Sequence, residues 1–335
     1  MKKTVLLAAV AAISLSAMPA MAADLVTKAR PVVAAAPPAW DLAFGSALTS
    51  DYLFRGVTQS NHKPSVNAYF EPRYNINADN QLYLGLAGNS ISFPNRAAVE
   101  LDFYGGWRPT IGKLALDFGA WYYYYPGGQC YNSVAFCGGT TVGAGGIPLN
   151  GNVIKADLSF WEVYAKATYN FTDNFAAGFG FNYSPSVLNS GARGFYYNGN
   201  AKYTFNAFAN GVTPFISGQV GYWDLGTTDS FYSCTIGPSA AASIGCAANS
   251  PGGIKLKNYT HWDVGFGWAY KVLTVDLRYS DTTLNKGDCN AFTSDHTATG
   301  TTNATAINAG PGSGWCGSRF IATLKADLTL NTNIK

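Results

Sequence analysis

The sequence predicts an all-β protein, an antiparallel transmembrane β-barrel of about twelve strands with short turns at one end and long loops at the other. Three observations carry this prediction: a composition poor in charge and rich in aromatics, long runs of period-two alternation, and connections of two lengths. Charged residues make up 12% of the 335 residues and aromatics 15%, with 37 glycines. A soluble domain holds roughly 25% charged residues. A disordered chain lacks such aromatics, and a nucleic-acid binder would show a strong basic patch, whereas the formal net charge here is only +3.

The first segment reads as an address. Lys2 and Lys3 form a basic start, Val5 to Leu15 an apolar core, and Ala20-Met21-Ala22 the small-x-small site that signal peptidase cleaves. This predicts a signal peptide over 1–22. Its apolar core is shorter than the ~18 residues that a spanning helix requires. A flexible Pro/Ala-rich leader over 23–39 precedes the barrel, assigned to 40–335.

Twelve alternating segments follow, at 41–56, 64–77, 81–93, 97–109, 113–125, 158–171, 175–185, 194–206, 212–225, 258–270, 272–284 and 317–330. In the second, Val66, Ala68, Phe70, Tyr74 and Ile76 alternate with Ser65, Asn67, Glu71, Arg73 and Asn75. Successive strand side chains point to opposite faces, so one face meets an apolar medium and the other a polar one. Ten residues at ~3.3 Å with ~45° tilt climb about 23 Å, close to the ~25 Å apolar band of such barrels. Short connections at 78–80, 110–112, 172–174, 207–211 and near 271 contrast with the long ones at 126–157, 226–257 and 285–316, which predicts strict alternation of short and long connections around the barrel. This places both termini in the periplasm and the long loops outside, in a bacterial outer membrane whose lipid and lipopolysaccharide surround the barrel. A secreted β-sandwich alternates as well, but its strands are shorter, and it does not need the two outward girdles seen here. Trp107, Phe171, Trp268 and Tyr270 form one, near the short turns, and Tyr122, Tyr124, Trp262 and Tyr279 the other.

All six cysteines fall in the long connections, two in each. Local pairing of Cys130 with Cys137, Cys234 with Cys246 and Cys289 with Cys316 is the expectation for a chain that crosses an oxidising compartment. The spacing lacks Cys-x-x-Cys, so no metal site is expected.

The run from Ser50 through Asp51-Tyr52-Leu53-Phe54-Arg55-Gly56-Val57-Thr58-Gln59 to Ser60 resembles the N-terminal signature of the TorF-type family of proteobacterial porins. The stretch His261-Trp262-Asp263-Val264-Gly265, continued by Leu273 to Thr282, is similar to that family's C-terminal pattern. The resemblance implies an outer-membrane barrel with a channel role and brings no catalytic residue set. The chain departs from many outer-membrane proteins by ending on Asn331-Thr332-Asn333-Ile334-Lys335 instead of an aromatic residue.

Parity places Arg55, Glu71, Arg73, Glu100, Asp102, Arg108, Asp117, Glu162, Lys166, Lys202, His261, Asp263, Asp276, Arg278, Arg319 and Lys325 on the inner wall as candidate pore-lining residues. The balance of charge is nearly even, so counting alone predicts no strong ion selectivity. Two readings stand side by side: these charges line a water-filled path for small hydrophilic solutes or ions, or they pair with one another inside a closed, structural or adhesive surface barrel. Twelve strands enclose a backbone diameter of about 24 Å, leaving about 12 Å between facing side chains. Tyr123 and Tyr125, with Trp121, face the mouth, while Tyr122 and Tyr124 face lipid.

The enzyme reading is weaker. Gly-x-Ser-x-Gly is absent, and His261 with Asp263 on one wall reads as a hydrogen-bonded pair before it reads as a catalytic base. Gly143-Ala144-Gly145-Gly146 and Gly178-Phe179-Gly180 lack the strand-to-helix setting of a phosphate cradle, so no cofactor is expected. The sequence shows no signal for a particular oligomeric state.

Overall fold

A single-layered sheet with apolar residues at every second position and nothing packed on that face hides them in lipid, where an isolated sheet edge leaves backbone groups unpaired. Closing the sheet removes both edges. The computed structural model describes residues 37–130, 152–229, 231–232, 253–298 and 312–334. In them twelve antiparallel strands close on themselves: β1 (Trp40–Thr49), then β4 (Ser65–Asn77), β5 (Asn80–Ser90), β6 (Val99–Ile111), β7 (Leu114–Tyr124), β8 (Phe160–Asn170), β9 (Phe175–Ser184), β10 (Gly194–Thr204), β11 (Thr213–Leu225), β12 (Tyr259–Tyr270), β13 (Leu273–Thr282) and β14 (Arg319–Thr329). The ring is sealed where β1 pairs with both β14 and β4, through Phe44 opposite Leu328 and opposite Phe70. The expected signal peptide lies outside the described residues, as does the leader up to residue 36.

Two departures from the sequence reading stand out. The first segment, expected to run to Gly56, ends as a wall strand at Thr49. The chain then turns inward as a hairpin of β2 (Leu53–Phe54) and β3 (Val57–Thr58), a separate two-stranded sheet. A hairpin enclosed by a barrel is buried on both faces, so Tyr52-Leu53-Phe54 is continuously apolar and imitates the end of a strand. The second departure concerns the loop end, where the connections at 91–98 and 185–193 are short as well.

The lipid face is apolar along every strand, with Leu48, Val66, Phe70, Leu82, Leu86, Phe103, Phe179, Val220, Val264 and Leu277 all exposed. Leu84 sits midway along β5 and is 69% exposed. Replacing Leu84 by Arg is expected to destabilise the barrel by about 2–4 kcal/mol. Urea titration of barrels refolded into lipid vesicles measures it, and a change under about 0.5 kcal/mol would contradict the lipid-facing assignment.

Candidate functional site

The hairpin is built around its turn. Arg55 and Gly56 have φ of 50° and 81°, and a two-residue hairpin turn of the primed type needs positive φ at both central positions. A side chain at Gly56 would meet Thr282 Cγ2 at 2.5 Å and His261 Cβ at 2.8 Å, so the tip passes the wall where only glycine fits. The tip carries Arg55 into the lumen, where it is 4% exposed. Its guanidinium meets Glu162 on β8 as a two-pronged ion pair, Nη1 to Oε1 at 2.8 Å and Nη2 to Oε2 at 2.7 Å. The rings of Tyr196 and Trp223 lie 4.0 Å and 4.2 Å from the same guanidinium carbon, and Phe54 of the hairpin 4.6 Å. Charge-assisted, desolvated contacts of this kind are each worth about 1.5–3 kcal/mol.

The rest of the hairpin is held on all sides. Tyr52 donates to Glu100 at 2.6 Å, Tyr259 donates to the Arg55 carbonyl at 3.1 Å, and Phe54 meets the rings of Tyr123 and Trp223 edge-on. At its base Asp51 accepts from Thr58 at 2.5 Å, Ser60 at 2.9 Å and Arg319 at 2.7 Å, and His62 Nδ1 lies 3.2 Å away. His62 also touches Arg319 directly.

Burial alone would raise the Asp51 carboxyl, but hydrogen bonds from His62, Thr58 and Arg319, with the charge of Arg319, hold it below its ordinary value. A group with a depressed folded pKa contributes stability above its unfolded pKa, about 4, and that stability fades as pH falls through the folded value. Acidification below about pH 4 is expected to loosen the hairpin base. Asp51→Asn should flatten this acid limb in tryptophan fluorescence, and an unchanged limb would exclude Asp51 as its source.

The long-loop end closes over the hairpin. Helix α1 (Lys286–Thr293) sets Phe292 against Trp223 and Tyr259, with ring centroids 5.5 Å and 6.1 Å apart. Cys289 and Cys316 form a disulfide that brackets this loop. Beside it Trp315 accepts from Thr58 N through its carbonyl at 3.0 Å and donates to Asn61 through Nε1 at 3.1 Å. Cys130 is disulfide-bonded as well, while Cys137, Cys234 and Cys246 lie outside the described residues.

Below the hairpin the charges expected on the wall form interlocked sets. Glu71 binds Arg73 at 2.7 Å and Arg108 at 2.8 Å, and Arg108 reaches Asp117 at 3.4 Å. Arg278 joins Asp263 and Asp276, and Lys325 joins Asp327 at 2.8 Å. Lys166 and Lys202 lie over the rings of Tyr164 and Phe215 at 4.1 Å and 4.3 Å. Glu100 and Asp102 share Asn89 Nδ2 at 2.9 Å and 3.0 Å, and Tyr125 donates to Glu100 at 2.7 Å.

Two site assignments change. Arg55 belongs to the inserted hairpin instead of the wall, because β1 ends six residues before it. His261 and Asp263 do not bond each other: His261 Nε2 meets the Tyr196 hydroxyl at 2.8 Å, and Asp263 takes Gln219 at 2.6 Å and Arg278. Residues two apart on a strand share a face, yet Asp263 bonds to the adjacent strands, and Tyr196 of β10 reaches His261 of β12 over Gly221 of the intervening β11. The aromatic walls around Arg55 were not singled out from the sequence, although parity already turns Tyr196 and Trp223 inward.

A family profile described as a bacterial protein of unknown function (Gcw_chp) matches residues 33–250. The chain belongs to the Gcw_chp family. The match runs through the hairpin and strands β1 to β11, so within Gcw_chp it takes in Arg55, Glu162, Tyr196 and Trp223 but stops before Tyr259 and His261. No curated protein matches the sequence. Among solved structures, the NanC porin is 7% identical, with a TM-score of 0.41 over 85% of this chain and 98% of that one. An outer-membrane channel from Pseudomonas putida F1 is 10% identical, with a TM-score of 0.41 over 90% and 100%. OprB from Pseudomonas putida is 13% identical, with a TM-score of 0.37 over 84% and 61%. Likeness at this level assigns nothing to the Gcw_chp site.

Proposed function

We propose that this Gcw_chp protein is an outer-membrane channel for passive passage of small hydrophilic solutes or ions, and that the hairpin at 50–63 is its gate. In this reading the short turns and both termini face the periplasm, the long loops face outward, and lipid and lipopolysaccharide surround the wall. The single observation that carries it is the nature of the obstruction: a tethered hairpin latched to the polar inner wall at its tip through Arg55 and Glu162. The hairpin packs into the same core as Tyr123, Trp223 and Trp315 but shares no strand ladder with the wall, so it can be released without opening the closed sheet. The resemblance of Ser50 to Ser60 to TorF-type porins supports the same assignment, and it falls on the hairpin itself.

A second reading is favoured by the pairing of the inner-wall charges around the fully buried Glu71, which suits a permanently closed structural or adhesive barrel. A barrel-embedded hydrolase draws no support from His261, which is committed to Tyr196.

Single-channel recording in planar bilayers at two salt concentrations separates the first two. The intact chain is expected to give rare openings. A chain with Tyr52–Gln59 replaced by a short glycine linker is expected to give steady steps that scale with salt. Silence from the excised barrel at both salts, with folding shown by heat-modifiable mobility, would establish the closed reading.

A further inference from the structure

The chamber that holds the Arg55 guanidinium is made almost entirely by the wall. Glu162 comes from β8, Tyr123 from β7, Tyr196 from β10 and Trp223 from β11, while Tyr259 from β12 holds the Arg55 carbonyl; only Phe54 travels with the hairpin. Tyr196 and Trp223 are direct register partners, which fixes both rings from adjacent strands. Glu162 is 1% exposed and is aimed by two further donors, Asn182 Nδ2 at 3.1 Å and Tyr123 at 3.4 Å.

This arrangement specifies its occupant. A carboxylate presenting both oxygens to two parallel N–H groups matches a planar fork, which a guanidinium has and a primary ammonium lacks. Aromatic faces within about 6 Å stabilise a desolvated cation. If Arg55 leaves and nothing replaces it, Glu162 loses its ion-pair partner among aromatic rings, which favours another cation in its place.

We infer that the chamber of Glu162, Tyr123, Tyr196 and Trp223 is a binding site for small organic cations of the guanidinium or amidinium class, with Arg55 as its tethered occupant, and that a free cation taking the site releases the hairpin. The release step rests on the gated-channel reading; the binding step does not. The tether presents Arg55 at an effective concentration of order millimolar, so a free ligand binds the intact chain more weakly than a chain lacking that side chain.

Isothermal titration of the folded full-length chain in detergent with methylguanidinium chloride tests the binding step, with methylammonium and sodium chloride at equal ionic strength as comparators. Arg55→Ala is expected to bind methylguanidinium saturably and about tenfold or more tighter than the intact chain. Arg55→Ala combined with Glu162→Gln should lose that binding, and methylammonium should bind Arg55→Ala at least about tenfold more weakly. Absence of saturable binding to folded Arg55→Ala, or undiminished binding to the double variant, overturns the site. Should Arg55→Ala not refold, the glycine-linker chain takes its place with the same expectations. Bilayer recording of the intact chain then tests release: openings that rise with millimolar methylguanidinium but not with sodium support it. Unchanged openings beside intact binding overturn release alone.

Discussion

Glu162→Gln is expected to unseat the hairpin. The change keeps the shape of the side chain and its contact with Asn182, but leaves the buried Arg55 guanidinium facing a neutral amide. Removing one partner of a buried pair costs about 3–5 kcal/mol, because the remaining charge has lost both water and counterion. Arg55 has a relief that most buried charges lack, since it rides on a hairpin that is its own two-stranded unit and not part of the barrel ladder. The cost is relieved by withdrawal of the tip. A shift of 3 kcal/mol is about two decades of population, so a cysteine placed at Val57 should react with a maleimide about a hundredfold faster in the Glu162→Gln background. The restoring test is Arg55→Glu with Glu162→Arg, which recovers the pair with reversed sense and should recover part of the protection. Equal labelling rates in the intact and Glu162→Gln backgrounds would show that the remaining contacts of Tyr52, Phe54 and Asp51 hold the hairpin without the latch.

What the sequence discloses and what it hides have one physical origin. Period-two alternation is imposed wherever a strand separates lipid from lumen, so the inward positions of Glu71, Arg73, Glu100, Asp102, Arg108 and Asp117 follow from parity, and the wall strands are readable to within a few residues. The hairpin obeys no such rule, because inside the barrel no face of it meets lipid. Its signal is of another kind: Arg55-Gly56 between the short strand-forming pairs Leu53-Phe54 and Val57-Thr58 is the pattern of a two-residue turn. Contacts across the lumen were also hidden. Arg55 and Glu162 stand 107 residues apart, and no local pattern couples them. The same holds for His261, whose sequence neighbour Asp263 suggests a partner, while Tyr196 reaches it from β10 over Gly221 of the intervening β11. Inward aromatics were visible by parity, but a ring on the inner wall declares a cation site only once a cation is seen against it.

Glu71→Gln should destabilise the barrel itself instead of freeing a hairpin. Glu71 is 0% exposed, and its two oxygens serve Arg73 from the same strand and Arg108 from β6, with the second Arg108 nitrogen at 3.1 Å from Oε2. Neither arginine can leave, because both sit on wall strands fixed by the ladders of β4 to β7. The loss of about 3–5 kcal/mol therefore appears as global instability, read as a lower urea midpoint for barrels refolded into lipid vesicles. A coupled substitution separates charge from packing. In Glu71→Gln with Arg108→Met one unpaired guanidinium is gone, the methionine fills the space beside the Tyr83 ring that Arg108 covers at 3.5 Å, and Asp117 keeps its bond from Tyr83. The double variant should be less destabilised than the sum of the two single ones, since the pair is one network and its members do not add. Strict additivity would mean that Glu71 and Arg108 contribute as separate groups, and that the wall charges are solvated individually. That outcome would favour water in the lumen beneath the hairpin, whereas the coupled outcome means that this part of the wall is one closed, mutually paired network.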